Sequence, residues 1–187
     1  MAFAGRLQLP LAVPTLRAHF PPLDTWLRLS PQWSLLALEP RGDSDGYSLR
    51  LRLDEDEREE TLHARFESLA DDRGWRLTLL QDGLARAIDI ELTALGEATE
   101  LALRDASVAD SDGTARTSLA LWLRATADYI LLSVSPRWRA RLGKWLLDRI
   151  WLRINLTGRR VVILILAYEV VGLAFLIGWL IWERIAA

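Results

Sequence analysis

Apolar and polar residues alternate over much of the first two thirds of the chain. Leu7, Leu9, Leu11 and Val13 take every second position, as do Leu49, Leu51 and Leu53 around Arg50 and Arg52. The same period recurs in Leu62, Ala64 and Phe66, in Trp75, Leu77 and Leu79, in Ile88, Ile90 and Leu92, and in Leu101 and Leu103. A period of two sends successive side chains to opposite faces of a strand. These segments therefore predict antiparallel strands with one dry and one wet face. Gly and Asp clusters at 41–46, 71–74, 81–83 and 96–98 separate them at hairpin spacing, which makes the sheet a meander.

Helical patterning flanks the meander. Leu16, Phe20, Leu23, Trp26 and Leu27 surround Pro21-Pro22, predicting two short helices, or a helix and a turn, over 15–29. In 117–134, Leu119, Leu123, Ile130 and Val134 form a stripe opposite Arg124 and Asp128. Ser135-Pro136 reads as the cap and first-turn proline of a second helix running to about Asn155. Arg137, Arg141, Lys144 and Asp148 line one side of that helix, and Trp138, Trp145 and Leu152 another. Arg beside Trp suits a lipid headgroup zone, but the same helix could equally pack on the sheet with its Arg face in water.

The last segment has a different pattern. Residues 161–182, VVILILAYEVVGLAFLIGWLIW, contain a single ionisable group. At the helical rise they span about 33 Å, enough to cross a bilayer, so one transmembrane helix is expected. Eight bases precede it (Arg137, Arg139, Arg141, Lys144, Arg149, Arg153, Arg159 and Arg160) against one acid, Asp148, and only Glu183 and Arg184 follow. By the positive-inside rule the body faces the cytoplasm. The N-terminal MAFAGRLQLPLAVP, broken by Gln8, Pro10 and Pro14, is too short and interrupted for a signal peptide. Absence of cysteine fits a reducing compartment. Arg far outnumbers Lys, as in GC-rich bacterial genomes, so the expected place is a bacterial inner (cytoplasmic) membrane. The expected organisation is a cytoplasmic domain over 1–135, a basic juxtamembrane helix over 136–160, the membrane helix over 161–182 and a short tail over 183–187.

Charge divides along the same line. The net charge of −2 conceals an acidic body: residues 1–136 carry 14 Arg against 22 acids, and the following collar is basic. An acidic body argues against nucleic acid as a partner. Each collar base near anionic headgroups adds about 1 kcal/mol of attraction, making the bilayer an expected partner.

Candidate chemistry is sparse. His63 falls on the polar side of its strand, and His19 has no paired acid or nucleophile. Without cysteine, ligand-spaced histidines or a glycine-rich phosphate loop, no metal and no cofactor are expected. The acidic run 54–60 lacks the spacing of a calcium loop and reads as a solvated hairpin tip or a docking patch for a basic partner. Glu169 is the sharpest single residue, since a carboxylate at mid-bilayer costs about 2.5 kcal/mol or more. With Tyr168 beside it and the small pair Ala174 and Gly178 four residues apart, it predicts contact with another membrane helix. That contact would be with a further transmembrane subunit or a second copy of the chain.

The order of elements resembles the START-like or SRPBCC helix-grip superfamily, which includes polyketide cyclases, lipid-transfer proteins and coenzyme-Q-binding proteins. The resemblance is carried by LQLPLAVP, TLRAHFPPLDTWLRL, SPQWSLLALEP, the hairpin IDIELTALGEATELALRDAS and the helix after it, over roughly residues 5–155. It implies an α+β fold, with an antiparallel meander wrapped on a C-terminal helix around an apolar cavity. The membrane anchor is an addition to that pattern. The implied cavity would be lined by Leu51, Leu62, Phe66, Leu77, Leu79, Ile88, Ile90, Leu101 and Leu103, with Trp26 and Trp33 near its entrance, unless these side chains fill a solid core. Three functions are compatible. One is a membrane-tethered module binding a lipid, quinone or similar apolar molecule. The second is an accessory subunit of a cytoplasmic-side membrane complex. The third, a cyclase or hydrolase, is disfavoured because the inward-facing residues offer almost no polar chemistry.

Overall fold

The computed structural model describes residues 3–42, 46–53, 58–81, 84–105 and 113–154, and beyond them scattered positions between 158 and 182. The acidic residues 54–57 lie outside the described residues. The fold is α+β. Seven strands, β1 (Phe3–Leu9), β2 (Trp33–Pro40), β3 (Gly46–Leu53), β4 (Glu59–Ser68), β5 (Gly74–Gln81), β6 (Leu84–Leu95) and β7 (Ala98–Asp105), form one antiparallel sheet in the order β1-β7-β6-β5-β4-β3-β2. From β2 to β7 each strand pairs with its successor, as hairpin spacing dictates, and β1 closes the far edge against β7.

Between β1 and β2 lie two single-turn helices, α1 (Val13–Ala18) and α2 (Leu23–Arg28), separated by Pro21-Pro22. The expected continuation of strand β1 through Leu11 and Val13 does not occur. Pro10 ends the strand, the Leu11 N–H turns back to the Leu9 carbonyl at 2.8 Å, and Pro14 starts α1. Alternation also fails to reveal β2. Its Leu35, Leu36 and Ala37 are consecutive apolar residues, and pairing with β3 shifts register between Leu35 and Ala37.

Helix α3 (Gly113–Val134) buries Leu119, Trp122, Leu123, Thr126, Ala127 and Ile130 at helical spacing. It packs against β1 and β7, giving the helix-grip arrangement of a sheet held on its C-terminal helix. Helix α4 (Trp138–Arg149) packs against α3, and a 3₁₀ turn, Trp151–Arg153, follows it. Arg137, in extended conformation, is the N-cap of α4; Ser135 and Pro136 precede the cap rather than forming it.

The chain divides into two compact units, Met1–Arg153 and Ile154–Ala187. In the second, the described positions from Val161 to Phe175 are helical, with Val161, Leu164, Ile165, Val171 and Phe175 exposed. Among the described residues, no helix is long and apolar enough to cross a membrane.

Candidate functional site

The inner face of the sheet is built by the residues that alternation marked. Leu51, Leu77, Ile88, Ile90, Leu101 and Leu103 are almost fully buried, with Leu62 and Leu79 close behind and Phe66 partly buried against them. They form one continuous apolar cluster with α3. Trp26 and Trp33, which the sequence reading set near an entrance, are buried at 1% and 3% exposure. Trp122 stacks on Trp26 at 4.4 Å and meets Trp33 edge-on at 5.3 Å, and Phe66 lies 6.2 Å from Trp26. Phe20, on the segment joining α1 and α2, stacks on Trp75 at 4.2 Å. Helix α2 thus carries Trp26 into the interior, with Phe20 of the joining segment beside it.

The polar groups inside are engaged. The Trp33 indole N–H donates to the Leu27 carbonyl, that of Trp26 to Thr126 Oγ1, and the Thr126 hydroxyl to the Trp122 carbonyl. At one end of the inner face, fully buried Asp105 accepts from Arg86, whose Nη2 is 2.6 Å from Oδ2, and Arg86 also reaches Gln32. These are positioning bonds in an apolar interior. Sequence reading overlooked Trp122 because its neighbour Leu123 already satisfied the stripe, and overlooked Asp105 because it closes a strand of polar–apolar alternation.

On the outer face a groove of about 520 Å³ crosses β3, β4 and β5, lined among others by Arg41, His63, Arg65, Glu67, Arg76 and Thr78. Arg65 pairs with Glu67 at 3.1 Å, and Arg76 holds Asp89 by two bonds of 2.6 and 2.9 Å. The Asp89 bond holds the Arg76 guanidinium charge more firmly than usual. His63 is on the wet side, as alternation implies, and His19 caps the end of α1. Among the described residues, no group of three or more His, Cys, Asp or Glu could hold a metal ion.

The basic collar is not uniform. Lys144 Nζ donates to Asp148 Oδ2 at 2.6 Å and to the buried Tyr129 hydroxyl at 2.8 Å, locking α4 to α3. Sequence had placed Lys144 with the headgroup residues. Leu152 is buried, while Trp138 and Trp145 are exposed, so the apolar side read from sequence divides between two faces. Arg137, Arg139, Arg141, Arg149 and Arg153 are all exposed. In the second unit, Tyr168 and Glu169 are helical and exposed. Ala174, Gly178, Arg159 and Arg160 lie outside the described residues.

No protein-family model matches the chain, and no curated protein does. Solved structures do resemble it. TTHA0849 from Thermus thermophilus aligns at 12% identity and a TM-score of 0.49, covering 72% of this chain and all of that one. Protein NE0264 from Nitrosomonas europaea aligns at 12% identity and 0.47, covering 70% and 94%. The di-domain ARO/CYC StfQ from the steffimycin biosynthetic pathway aligns at 14% identity and 0.46, covering 79% of this chain and 46% of that one. At such distances the likeness decides nothing about activity, and the helix-grip description rests on the geometry above.

Proposed function

We propose that this protein is a membrane-tethered helix-grip module that holds an apolar molecule, a lipid or quinone, close to the cytoplasmic face of a bacterial inner membrane. The observation that carries the ligand reading is the composition of the grip: an inner sheet face of Leu and Ile, closed by helices, whose few polar groups already bond within the protein. Such an interior suits apolar surface and, among the described residues, offers no free acid–base pair for catalysis, so the reading is a binding protein rather than an enzyme. A ligand would enter beneath α1 and α2, which pack against β6, β7 and β2, displacing the Phe20 ring from Trp75. The tether is 161–182, whose 22 residues carry one ionisable group.

A second reading is supported by Glu169. A carboxylate in a membrane span is costly unless it meets a polar group on another helix, which favours an accessory subunit docked to a transmembrane partner. Mild-detergent purification of the full chain from its native membrane, with mass spectrometry of the assembly and of its organic extract, tests both. A stoichiometric apolar molecule on a lone chain supports the binding module. Stoichiometric membrane proteins without one support the accessory subunit, and Glu169→Leu should then release them. Ile90→Trp is the companion test: ligand retention should vanish while the fold survives.

A further inference from the structure

Within the first unit, helix α4 has one face without a protein partner among the described residues. Its inner side is fixed: Lys144 is bonded to Tyr129 and Asp148, and a Cβ added at Gly143 would meet the Leu132 side chain at 3.9 Å. That orientation turns Trp138, Leu142, Trp145, Leu146 and Ile150 outward, at 42% to 68% exposure. Arg139 and Arg141 flank this apolar strip and Arg149 continues it. Asp148, the acid within α4, is already taken by Lys144, so the outer surface of the helix is basic. The Arg139 guanidinium rests 5.6 Å from the Trp138 ring centre.

Tryptophan with leucine on one strip and arginine on its borders is the chemistry of a helix lying in a headgroup layer. A basic protein partner would be repelled, and an aqueous surface would not need two exposed tryptophans. We propose that α4 is an interfacial helix that docks the folded domain flat on an anionic bilayer, separately from the tail. This deepens the membrane reading above and rests on it for the nearby bilayer. Its consequence is an orientation: the domain lies with α4 down rather than swinging on the segment after Arg153.

The native chain has no cysteine, so a single label is clean. Full-length protein carrying Leu142→Cys, labelled with an environment-sensitive fluorophore, is reconstituted in vesicles of phosphatidylcholine alone or of equal parts phosphatidylcholine and phosphatidylglycerol. A Glu97→Cys label on the exposed β6–β7 turn is the reference. The expected result is a blue shift and protection from iodide for the Leu142 label on phosphatidylglycerol vesicles only, reversed by molar salt, with the Glu97 label accessible throughout. Arg139→Gln and Arg141→Gln should each weaken docking about fivefold without altering the melting temperature. A Leu142 label accessible on both vesicles overturns the proposal. So does one shielded in detergent as protein concentration rises, which would make the face a self-association surface. Carbonate extraction reads the tail independently. Extraction-resistant protein with an accessible label leaves the tether and removes the docking; extractable protein with a protected label does the reverse.

Discussion

Trp26 and Trp122 stack with their ring centres 4.4 Å apart and their planes 20° from parallel, and the Trp122 indole N–H donates to the Trp26 carbonyl at 3.0 Å. One ring comes from a helix before the meander and the other from the helix after it, so the pair ties the two ends of the fold together. Trp122→Ala should cost about 3–5 kcal/mol in urea unfolding, through the cavity it opens. Trp122→Phe keeps a stacked ring and loses the hydrogen bond, at about 1 kcal/mol for that bond.

Gly74 opens β5 at φ +148°, and a Cβ there would sit 1.8 Å from the Ile90 carbonyl oxygen. The neighbouring backbone is tightly bonded, with the Leu92 N–H to the Arg73 carbonyl at 2.7 Å and the Leu69 N–H to the Gly74 carbonyl at 2.9 Å. An alanine cannot be accommodated without moving β6 away from β5. Gly74→Ala should lower stability by more than about 1 kcal/mol and speed amide exchange at Leu92. Gly42→Ala, with nothing within 4 Å of its Cβ position, is the matched control.

How much was legible follows from these contacts. Alternation over 49–53, 62–66, 75–79, 88–92 and 101–103 placed five strands and their inner faces, because a sheet wet on one side obliges the pattern. Strand β2 escaped, since a bulge and a consecutive apolar run remove the period that reveals a strand. The deep burial of the tryptophans was hidden for another reason. Composition suggests an amphipathic ring at an opening, but only tertiary packing tells that the Trp26 and Trp33 N–H groups find buried acceptors at Thr126 and Leu27. Likewise, the spacing of α4 gave its amphipathic character, whereas which face is inward depends on Tyr129, fifteen residues before Lys144 on another helix.

Fully buried Asp105 and partly exposed Arg86 form an ion pair at the end of the inner face. Asp105 is opposite Ile88 in the β6–β7 register, and Arg86 reaches it from two positions along the same face. Arg86→Met keeps the aliphatic bulk but withdraws the guanidinium from a fully buried carboxylate, and should cost about 3 kcal/mol. Pairing it with Asp105→Leu removes the buried charge and should recover much of that loss, a non-additivity measurable by a double-mutant cycle.

The Lys144–Tyr129–Asp148 cluster makes the α3–α4 junction sensitive to alkali. Burial pushes the Tyr129 hydroxyl above the usual tyrosine range; the Lys144 bond opposes the shift and the Asp148 charge adds to it. For Lys144, burial works against the charge, but the bonds to Asp148 and Tyr129 outweigh it and raise the value. Both groups therefore hold protons in the folded state that the unfolded chain releases at lower pH. Their contribution is complete below about pH 10 and is lost as pH rises through the folded values. Denaturation midpoints should fall over that range. Tyr129→Phe should lower stability at neutral pH by about 1 kcal/mol and flatten the alkaline decline, as should Lys144→Met. Amide exchange on α4 should quicken in alkali before exchange on β6 and β7 does, because the cluster holds α4 to α3 and not the strands to each other. Simultaneous loss of protection in α4 and the sheet would show that the cluster does not control the junction.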